Sequence, residues 1–345
     1  MHHNATGEVW DTLMRRREFI ALVGGAAAAL PFSVGAQQGE RARRIGVLMA
    51  FAKSDPAAQS QVAAFRGALA KLGWTEGRNL RIELRWGAGD ADRISTFAKE
   101  LVELRPDAIV GQTTPVIGAL ARETRTIPIV FAVVFDPIGS GFAASFAHPD
   151  GNVTGFTTNE PAVGGKWMEL LKEIAPRTAR VVLLFNPATA VAPQLFISSV
   201  EAAAAPLAVQ VNATPVQAKD EIEGVITALA RYPGGSLVVM PNAFFFNVPT
   251  RDLIIASAAS NRVPTVYFDR FIVESGGLIA YGADFSEELR QAAGYIDRIL
   301  KGAKVTDLLI QQPIEYELVI NLKTAKSLGL SVPDKLLAVA DQVFE

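Results

Sequence analysis

The amino-acid sequence predicts an α/β protein with two lobes, each built around a parallel sheet. Apolar runs of strand length recur along the chain, and amphipathic helical patterns separate them. Strands that are apolar along their whole length are typical of parallel sheets covered by helices on both faces. The chain has 345 residues, and at roughly 100–200 residues per domain this length favours two domains.

Ten strands are predicted from the apolar runs. They lie at residues 45–50, 80–86, 108–110, 129–134, 153–156, 181–185, 207–211, 237–240, 265–268 and 278–281. Helical spacing of apolar side chains recurs between them, at 62–72, 94–104, 222–229 and 289–300. One open sheet of ten strands would be large, so two sheets of about five strands are expected.

The chain is expected to pass between the two lobes three times. Turn-rich residues around Gly151 and Asn152 mark the first passage, residues 282–286 the second, and the segment from Pro313 the third. Lobe one is therefore predicted to contain residues 41–155 and about 283–310. Lobe two is predicted to contain residues 156–282 and about 311–345.

Residues 1–36 have the features of an export signal. A basic segment at residues 15–17 precedes an apolar stretch and a small-residue cleavage site at residues 34–36. The arginines, followed by residues 18–20, resemble a twin-arginine signal, which directs folded proteins to the periplasm. The apolar stretch, about 12 residues, is shorter than the ~20 that a membrane span needs, which disfavours an uncleaved anchor. Residues 1–13 are interpreted as an upstream extension.

Composition excludes several classes of function. The chain has no cysteine and a net charge of −2, so thiolate metal sites and a basic nucleic-acid surface are not expected. His148 is the one histidine outside the predicted signal and its extension, and no G-x-S-x-G or phosphate-binding glycine loop is present. We expect no metal and no cofactor. A hydrolase with paired carboxylates stays open, because pairing depends on the fold.

The predicted strand ends share a pattern in which polar residues precede proline. It occurs at residues 54–56, 113–115, 135–137 and 186–187, where Thr113, Thr114, Asp136 and Asn186 are the polar residues. A polar residue before proline is typical of a helix N-cap followed by the first helical position. Such a helix start directs backbone N–H groups toward the sheet edge and suits a carboxylate, although plain capping is the alternative for each position.

Carboxylates and aromatic residues also follow the predicted strands. Asp55, Asp136 and Asp284, with Asp269 nearby, are candidates to bind an ammonium group. Phe135, Tyr281 and the consecutive Phe244, Phe245 and Phe246 are candidates to surround an apolar side chain, although most aromatic residues are expected in the core. Together these features predict a site for an amino acid with an apolar or aromatic side chain.

Nine sequence blocks, in order, resemble one family of receptors. They are RIGVL at 44–48, FR at 65–66, LGWTEGRN at 72–79, IPIVF at 127–131, DPIGSGF at 136–142, GNVTGF at 151–156, KWMELL at 166–171, FNP at 185–187 and INLKTAKSLGL at 320–330. The chain after its signal resembles periplasmic solute-binding proteins of ABC importers, in the branch that includes tryptophan-binding-type receptors. The resemblance implies a type I periplasmic binding protein, with two Rossmann-like lobes joined by three hinge crossings that close on one ligand.

The resemblance implies ligand contacts at Thr113, Thr114, Asp136, Asn186 and Asp284. We hypothesise a monomeric, non-catalytic receptor that binds an amino acid-like ligand and docks on the transmembrane subunits of an ABC permease. In this hypothesis Thr113 and Thr114 bind the carboxylate, Asp136 and Asp284 bind the ammonium, and the side chain lies against three aromatic residues, namely Phe135, Phe244 and Tyr281. A ligand-sensing module for a membrane receptor and an exported enzyme are the alternatives.

Overall fold

The computed structural model describes residues 42–149, 151–158, 160–313 and 315–345. The predicted export signal and the extension before it lie outside the described residues. Within the described ranges, no helix combines the length and apolar character required to cross a bilayer.

The first sheet has five parallel strands in the order β2-β1-β3-β4-β5. The strands are β1 (Arg43–Met49), β2 (Leu80–Trp86), β3 (Ala108–Gln112), β4 (Ile129–Val134) and β5 (Val153–Thr157). The helices that connect them are α1 (Pro56–Lys71), α2 (Ala91–Glu103) and α3 (Thr114–Glu123). Strands β3 and β4 are buried at every residue, as expected for a parallel sheet covered on both faces.

The second sheet has seven strands in the order β12-β11-β10-β9-β8-β6-β7. They are β6 (Arg180–Phe185), β7 (Gln210–Pro215), β8 (Gly235–Val239), β9 (Thr265–Tyr267), β10 (Ile279–Gly282), β11 (Glu317–Asn321) and β12 (Gln342–Phe344). The helices of this part are α4 (Val163–Ile174), α5 (Pro193–Ala204), α6 (Lys219–Ala230), α7 (Ala243–Phe246), α8 (Val248–Ser260), α9 (Arg270–Glu274), α11 (Leu322–Ser327) and α12 (Asp334–Val339).

One long helix returns the chain from the second sheet to the first. This helix, α10 (Phe285–Leu300), follows β10 and packs against α1 and β4. Its apolar side chains at Leu289, Ala293 and Ile296 are fully buried, which accounts for its docking on the first sheet. The chain then goes back to the second sheet as β11, so it passes between the sheets three times.

The second sheet differs from the prediction in size and direction. Strands β11 and β12 were not predicted, because a short apolar run flanked by polar residues resembles a loop. Strand β11 pairs antiparallel with β10, so this sheet is mixed and has seven strands instead of about five. Strand β7 begins at Gln210 and not at Leu207, because a 3₁₀ turn and Ala208, with φ of +52°, precede it.

Gly155 permits the close pairing of β4 and β5. Its φ is +153°, and a Cβ at this position would collide with the backbone oxygen of Phe131 on the neighbouring strand. Only glycine tolerates both conditions. The two strands can therefore approach where β5 leads into the first passage between the sheets.

Candidate functional site

Three cavities lie where the carboxyl ends of the first sheet face those of the second. The largest, about 350 Å³, lies between residues that follow β1 and residues at the start of α8. A second, about 140 Å³, lies between residues that follow β4 and the start of α5. A third, about 10 Å³, lies between the start of α3 and residues that follow β6 and β8. We call this region the interlobe cleft.

The start of α3 brings three of the predicted residues together. Thr113 has a φ of +76°, an unusual value for a β-branched residue. Its buried hydroxyl has no hydrogen-bond partner. The Thr114 hydroxyl lies 3.3 Å from both the backbone N and the backbone O of Phe135, which joins the ends of β3 and β4. All three residues line the smallest cavity, together with Asn242 and Phe246 from the other side of the cleft.

Asp136 lies beside this group, in a turn that depends on a glycine. Its φ is +42°, and its Oδ1 accepts a hydrogen bond of 2.7 Å from the backbone N–H of Gly139. The half-buried carboxylate lines the 140 Å³ cavity with Phe135 and Phe196. The rings of Phe135 and Phe196 are 6.3 Å apart, edge to face, across the cleft.

A buried ion pair and an aromatic contact also cross the cleft. Asp55 Oδ1 lies 3.9 Å from Arg251 Nη1, and the side chains are 3% and 8% exposed. The rings of Phe51 and Phe246 are 4.9 Å apart. Asp55, Phe51 and Phe246 line the 350 Å³ cavity, so this part of the cleft offers an apolar space with one charged pair at its boundary.

Two unpartnered polar side chains, Thr113 and Thr158, line the interlobe cavities. In the part of the chain that the structure describes, five buried side-chain atoms make no hydrogen bond, namely Gln61 Nε2, Thr113 Oγ1, Thr158 Oγ1, Asp269 Oδ2 and Glu288 Oε1. Thr113 directly follows β3 and Thr158 directly follows β5, whereas Asp269 is the second residue after β9. Buried polar groups are normally paired, so the exceptions at Thr113 and Thr158 indicate a place for a bound molecule in the cleft.

Asp269 is a buried carboxylate that follows β9 of the second sheet. The pKa of Asp269 is raised to about 7, mainly by burial, with smaller contributions from the nearby charges of Asp284 and Glu274. The backbone N–H of Phe271, which donates to Oδ1 at 2.8 Å, and the charge of Arg270 act in the opposite direction. A cation near the free Oδ2 would favour the ionised form of this carboxyl.

Glu288, on α10, reaches the end of β4. Its Oε2 accepts a hydrogen bond of 2.7 Å from the backbone N–H of Val133. Burial raises the pKa of Glu288 well above its usual value, while that hydrogen bond and the nearby Thr158 hydroxyl lower it. Asp284 and Asp269 add negative charge to this environment.

Four predicted residues lie outside the three interlobe cavities. Asn186 is occupied by its own turn, because its Oδ1 accepts from the backbone N–H groups of Ala188 and Thr189 and its Nδ2 donates to the Val216 carbonyl. Tyr281 stacks on Tyr316 with ring centroids 5.6 Å apart. The remaining two are Phe244, which is half-buried against Phe245, and Asp284, which caps α10 and lines a separate cavity.

Sequence reasoning missed several residues that line the cleft. Asn242 caps α7 by accepting from the backbone N–H of Phe245, and Thr189 donates to it at 3.4 Å. Phe246, not Phe244, enters the cleft. An asparagine after an apolar run is a signal that was available for Asn242. Arg251, by contrast, lies inside α8, where no local pattern distinguishes it from a surface residue.

The described residues offer no group of three or more histidine, cysteine, aspartate or glutamate side chains arranged to hold a metal ion. The cleft instead presents hydroxyl, amide, carboxylate and aromatic groups to a small molecule.

The two-sheet fold and its interlobe cleft define a type I periplasmic binding protein. The chain belongs to the ABC transporter substrate binding protein family, which matches residues 45–344. The resemblance predicted from the sequence is thereby confirmed.

Individual relatives cover most of the chain. It is 27% identical over 274 residues to a protein named tyrosine-binding protein from Clostridioides difficile (strain R20291), a match to 77% of this chain and 75% of that one. A solved ABC domain from Streptococcus pneumoniae in complex with L-Trp is 27% identical, with a TM-score of 0.79 over 88% of this chain and 99% of that one. A conserved domain protein from Vibrio cholerae is 26% identical, with the same TM-score and coverage.

Proposed function

We propose that this protein is the periplasmic receptor of an ABC importer, exported by its twin-arginine signal. It binds one amino acid-like ligand in the interlobe cleft and delivers it to the transmembrane subunits of a permease, without chemical change. In this proposal lobe one contains residues 41–155 and about 283–310, and lobe two contains residues 156–282 and about 311–345. The family assignment supports the proposal.

The observation that carries the proposal is a pair of unpartnered polar atoms that follow strands of the two sheets. Thr113 Oγ1 follows β3 of the first sheet and Asp269 Oδ2 follows β9 of the second. Leaving such a buried group unpaired costs about 1–3 kcal/mol, so a ligand that pairs with it recovers part of this cost. The start of α3 beside Thr113 suits a carboxylate, and Asp269 suits an ammonium. An α-amino acid carries both groups.

Aromatic residues support an apolar side chain on the ligand. Phe51 and Phe246 line the 350 Å³ cavity, and Phe135 lines the other two. Two relatives point the same way, since one is named tyrosine-binding protein and another was solved with L-Trp. We therefore propose an aromatic or branched apolar amino acid, with a ring or aliphatic chain beside Phe51 and Phe246.

Ligand binding would favour closure of the two lobes. A ligand that contacts Thr113 on one side and Asp269 on the other makes all its contacts only when the lobes are together, so it shifts the equilibrium toward that state. The Asp55–Arg251 pair and the Phe51–Phe246 contact form across the cleft in the same arrangement. The closed form would then be the one that docks on the permease.

The test is calorimetry and thermal unfolding of the purified protein with L-tryptophan, L-tyrosine, L-phenylalanine, L-leucine and L-isoleucine. A ligand at 100 times its Kd adds about 2.7 kcal/mol of stability. Thr113→Val should weaken binding at least tenfold. Thr96→Val is the matched control, because Thr96 is exposed on α2 and bonds only within its helix. If no amino acid of the panel binds, the proposed ligand class is wrong.

A further inference from the structure

We propose that a second cavity, between the second and third passages of the chain, binds a small organic cation with a primary ammonium group. This crossing cavity has a volume of about 350 Å³ and is lined by five carboxylates, from Asp284, Glu287, Glu288, Glu315 and Glu317. It shares Thr157 and Gln312 with the 140 Å³ interlobe cavity, which places the two on either side of the same wall.

The crossing cavity has more negative charge than the protein neutralises. Glu317 is paired with Arg270 at 3.3 Å, and Glu287 is paired with Arg290. Asp284, Glu288 and Glu315 make no ion pair with any described residue, and no lysine or arginine lines the cavity. Three carboxylates in one concave space therefore have no cationic partner within the described chain.

Glu288 distinguishes this cavity from an ordinary acidic patch. The residue is only 4% exposed, yet it lines the cavity and its Oε1 has no hydrogen-bond partner. Its other oxygen is already used by the backbone N–H of Val133. An ammonium group donates up to three hydrogen bonds and carries the charge that this environment lacks. The free oxygen of Glu288 is thus a specific anchor for it.

The surroundings of Glu288 favour a cationic guest. Burial raises the pKa of Glu288, as do the charges of Asp284 and Asp269, whereas the Val133 N–H and the Thr158 hydroxyl lower it. Arg270 interacts with Asp284 but is itself paired with Glu274 and Glu317. A bound ammonium ion would favour the ionised form of the Glu288 carboxyl.

Size and lining favour an organic ammonium ion over a metal ion. A volume of about 350 Å³ lies at the lower end of the range for small-molecule sites and far exceeds what a bare ion occupies. Among the described residues, no three carboxylates are arranged to ligate a metal. Phe156 and Pro313 provide apolar surface against which a short alkyl chain can pack.

Calorimetry of the purified protein at pH 7.5 tests the proposal with 1,4-diaminobutane and butylammonium chloride. Both should bind in the cavity with measurable heats. Glu288→Gln should weaken binding at least tenfold. Glu221→Gln is the control, because Glu221 on α6 only accepts from the backbone N–H of Gln217 and does not line the cavity. Binding of neither amine, or equal affinity in Glu288→Gln, overturns the proposal.

Further probes separate the classes of cation. Tetramethylammonium, which cannot donate a hydrogen bond, should bind more weakly than butylammonium, and calcium chloride should not compete. Tighter binding of calcium overturns the assignment to an organic cation. Should Glu288→Gln fail to fold, Asp284→Asn keeps the cap of α10 at Ser286 and should weaken amine binding about tenfold. Amino acid binding by the same variants tests the interlobe site separately, so either proposal can fail alone.

Discussion

The backbone N–H of Val133 donates a 2.7 Å hydrogen bond to Oε2 of Glu288, 155 residues further along the chain. Val133 has a φ of +57°, and the pairing of β4 with β5 shifts register between Phe131 and Val134. A bulge of this kind redirects the end of a strand. Helix α10 thus stabilises the bend from which Phe135 and Asp136 enter the interlobe cleft.

Removing the Glu288 acceptor should destabilise the protein. Glu288→Ala leaves the N–H of a strained residue without a partner, so the free energy of unfolding should fall by about 1–3 kcal/mol. Glu288→Gln keeps an acceptor for Val133 and should lose less. Urea unfolding of both variants measures the difference. Equal stability of the alanine variant and the wild type would contradict a structural role for this bond.

Asp269 should make the stability of the ligand-free protein fall with rising pH. Its pKa is about 7 in the folded state, compared with about 3.9 in an unfolded chain. Between these values the folded state binds a proton that the unfolded state lacks, so unfolding becomes easier by about 1.4 kcal/mol per pH unit.

The comparison that isolates Asp269 is Asp269→Asn, which keeps the cap at the Phe271 N–H. Denaturant unfolding is measured at several pH values between 4 and 7. The free energy of unfolding should fall less steeply with rising pH in the variant than in the wild type. Parallel profiles would mean that the carboxyl of Asp269 titrates normally.

Arg251→Met should favour separation of the lobes. Asp55 and Arg251 are both buried and come from opposite sides of the cleft, and a buried charge without its partner costs about 3–5 kcal/mol. Separation hydrates Asp55, so the radius of gyration from X-ray scattering should increase and ligand affinity should fall about tenfold. Arg231→Met, at an exposed position after α6, should leave both unchanged. A closed, fully active Arg251→Met variant would exclude this role.

Gly139→Ala should displace the Asp136 carboxylate while keeping its charge. A Cβ at residue 139 would overlap Asp136 Oδ2, and the side chain of Asp136 can rotate away at little cost. Amino acid affinity should drop about tenfold in calorimetry, with a small change in melting temperature. Asp136→Asn retains the acceptor for the Gly139 N–H and removes only the charge. If both variants bind normally, Asp136 is not a ligand contact.

Phe246→Ala should destabilise the protein far more than Phe244→Ala. Phe246 is almost fully buried, and its ring lies 4.9 Å from Phe51, 4.8 Å from Phe268 and 5.3 Å from Phe285. Deleting such a ring costs about 3–5 kcal/mol. Phe244 is half-buried, so deleting its ring should lower the free energy of unfolding by about half as much. Chemical unfolding of the two variants provides the comparison, and equal losses would contradict it.

Strands with strong local patterns were predictable from the sequence. The segments that became β2 and β4 have the predicted bounds. In β4 a continuous apolar run with β-branched residues favours a buried strand, and in β2 apolar residues alternate with charged ones, as in a half-buried strand. Strands β11 and β12 were not predictable from the sequence, since each has only a few apolar residues. They exist because the exposed edge at β10 accepts β11 and β11 in turn accepts β12.

The candidate site was predictable only in part, because local patterns identify strand ends but not the contacts that side chains make in the fold. Thr113, Thr114 and Phe135 could be placed together because neighbouring parallel strands end at one edge. Asn186 follows a strand in the same way, but its side chain is used within its own turn. Glu288 and Arg251 lie inside helices, and the packing of those helices brings Glu288 to the end of β4 and Arg251 to Asp55.

Local periodicity, proline and glycine are enough to predict the α/β class, the alternation of strands and helices, and the strand ends that carry polar residues. Which of those ends face one another, which polar atoms stay unpaired, and which carboxylates share a cavity follow only from the folded arrangement. These features depend on contacts between residues far apart in the chain, and the pKa of a buried group such as Asp269 depends on burial and on neighbouring charges that no local pattern encodes.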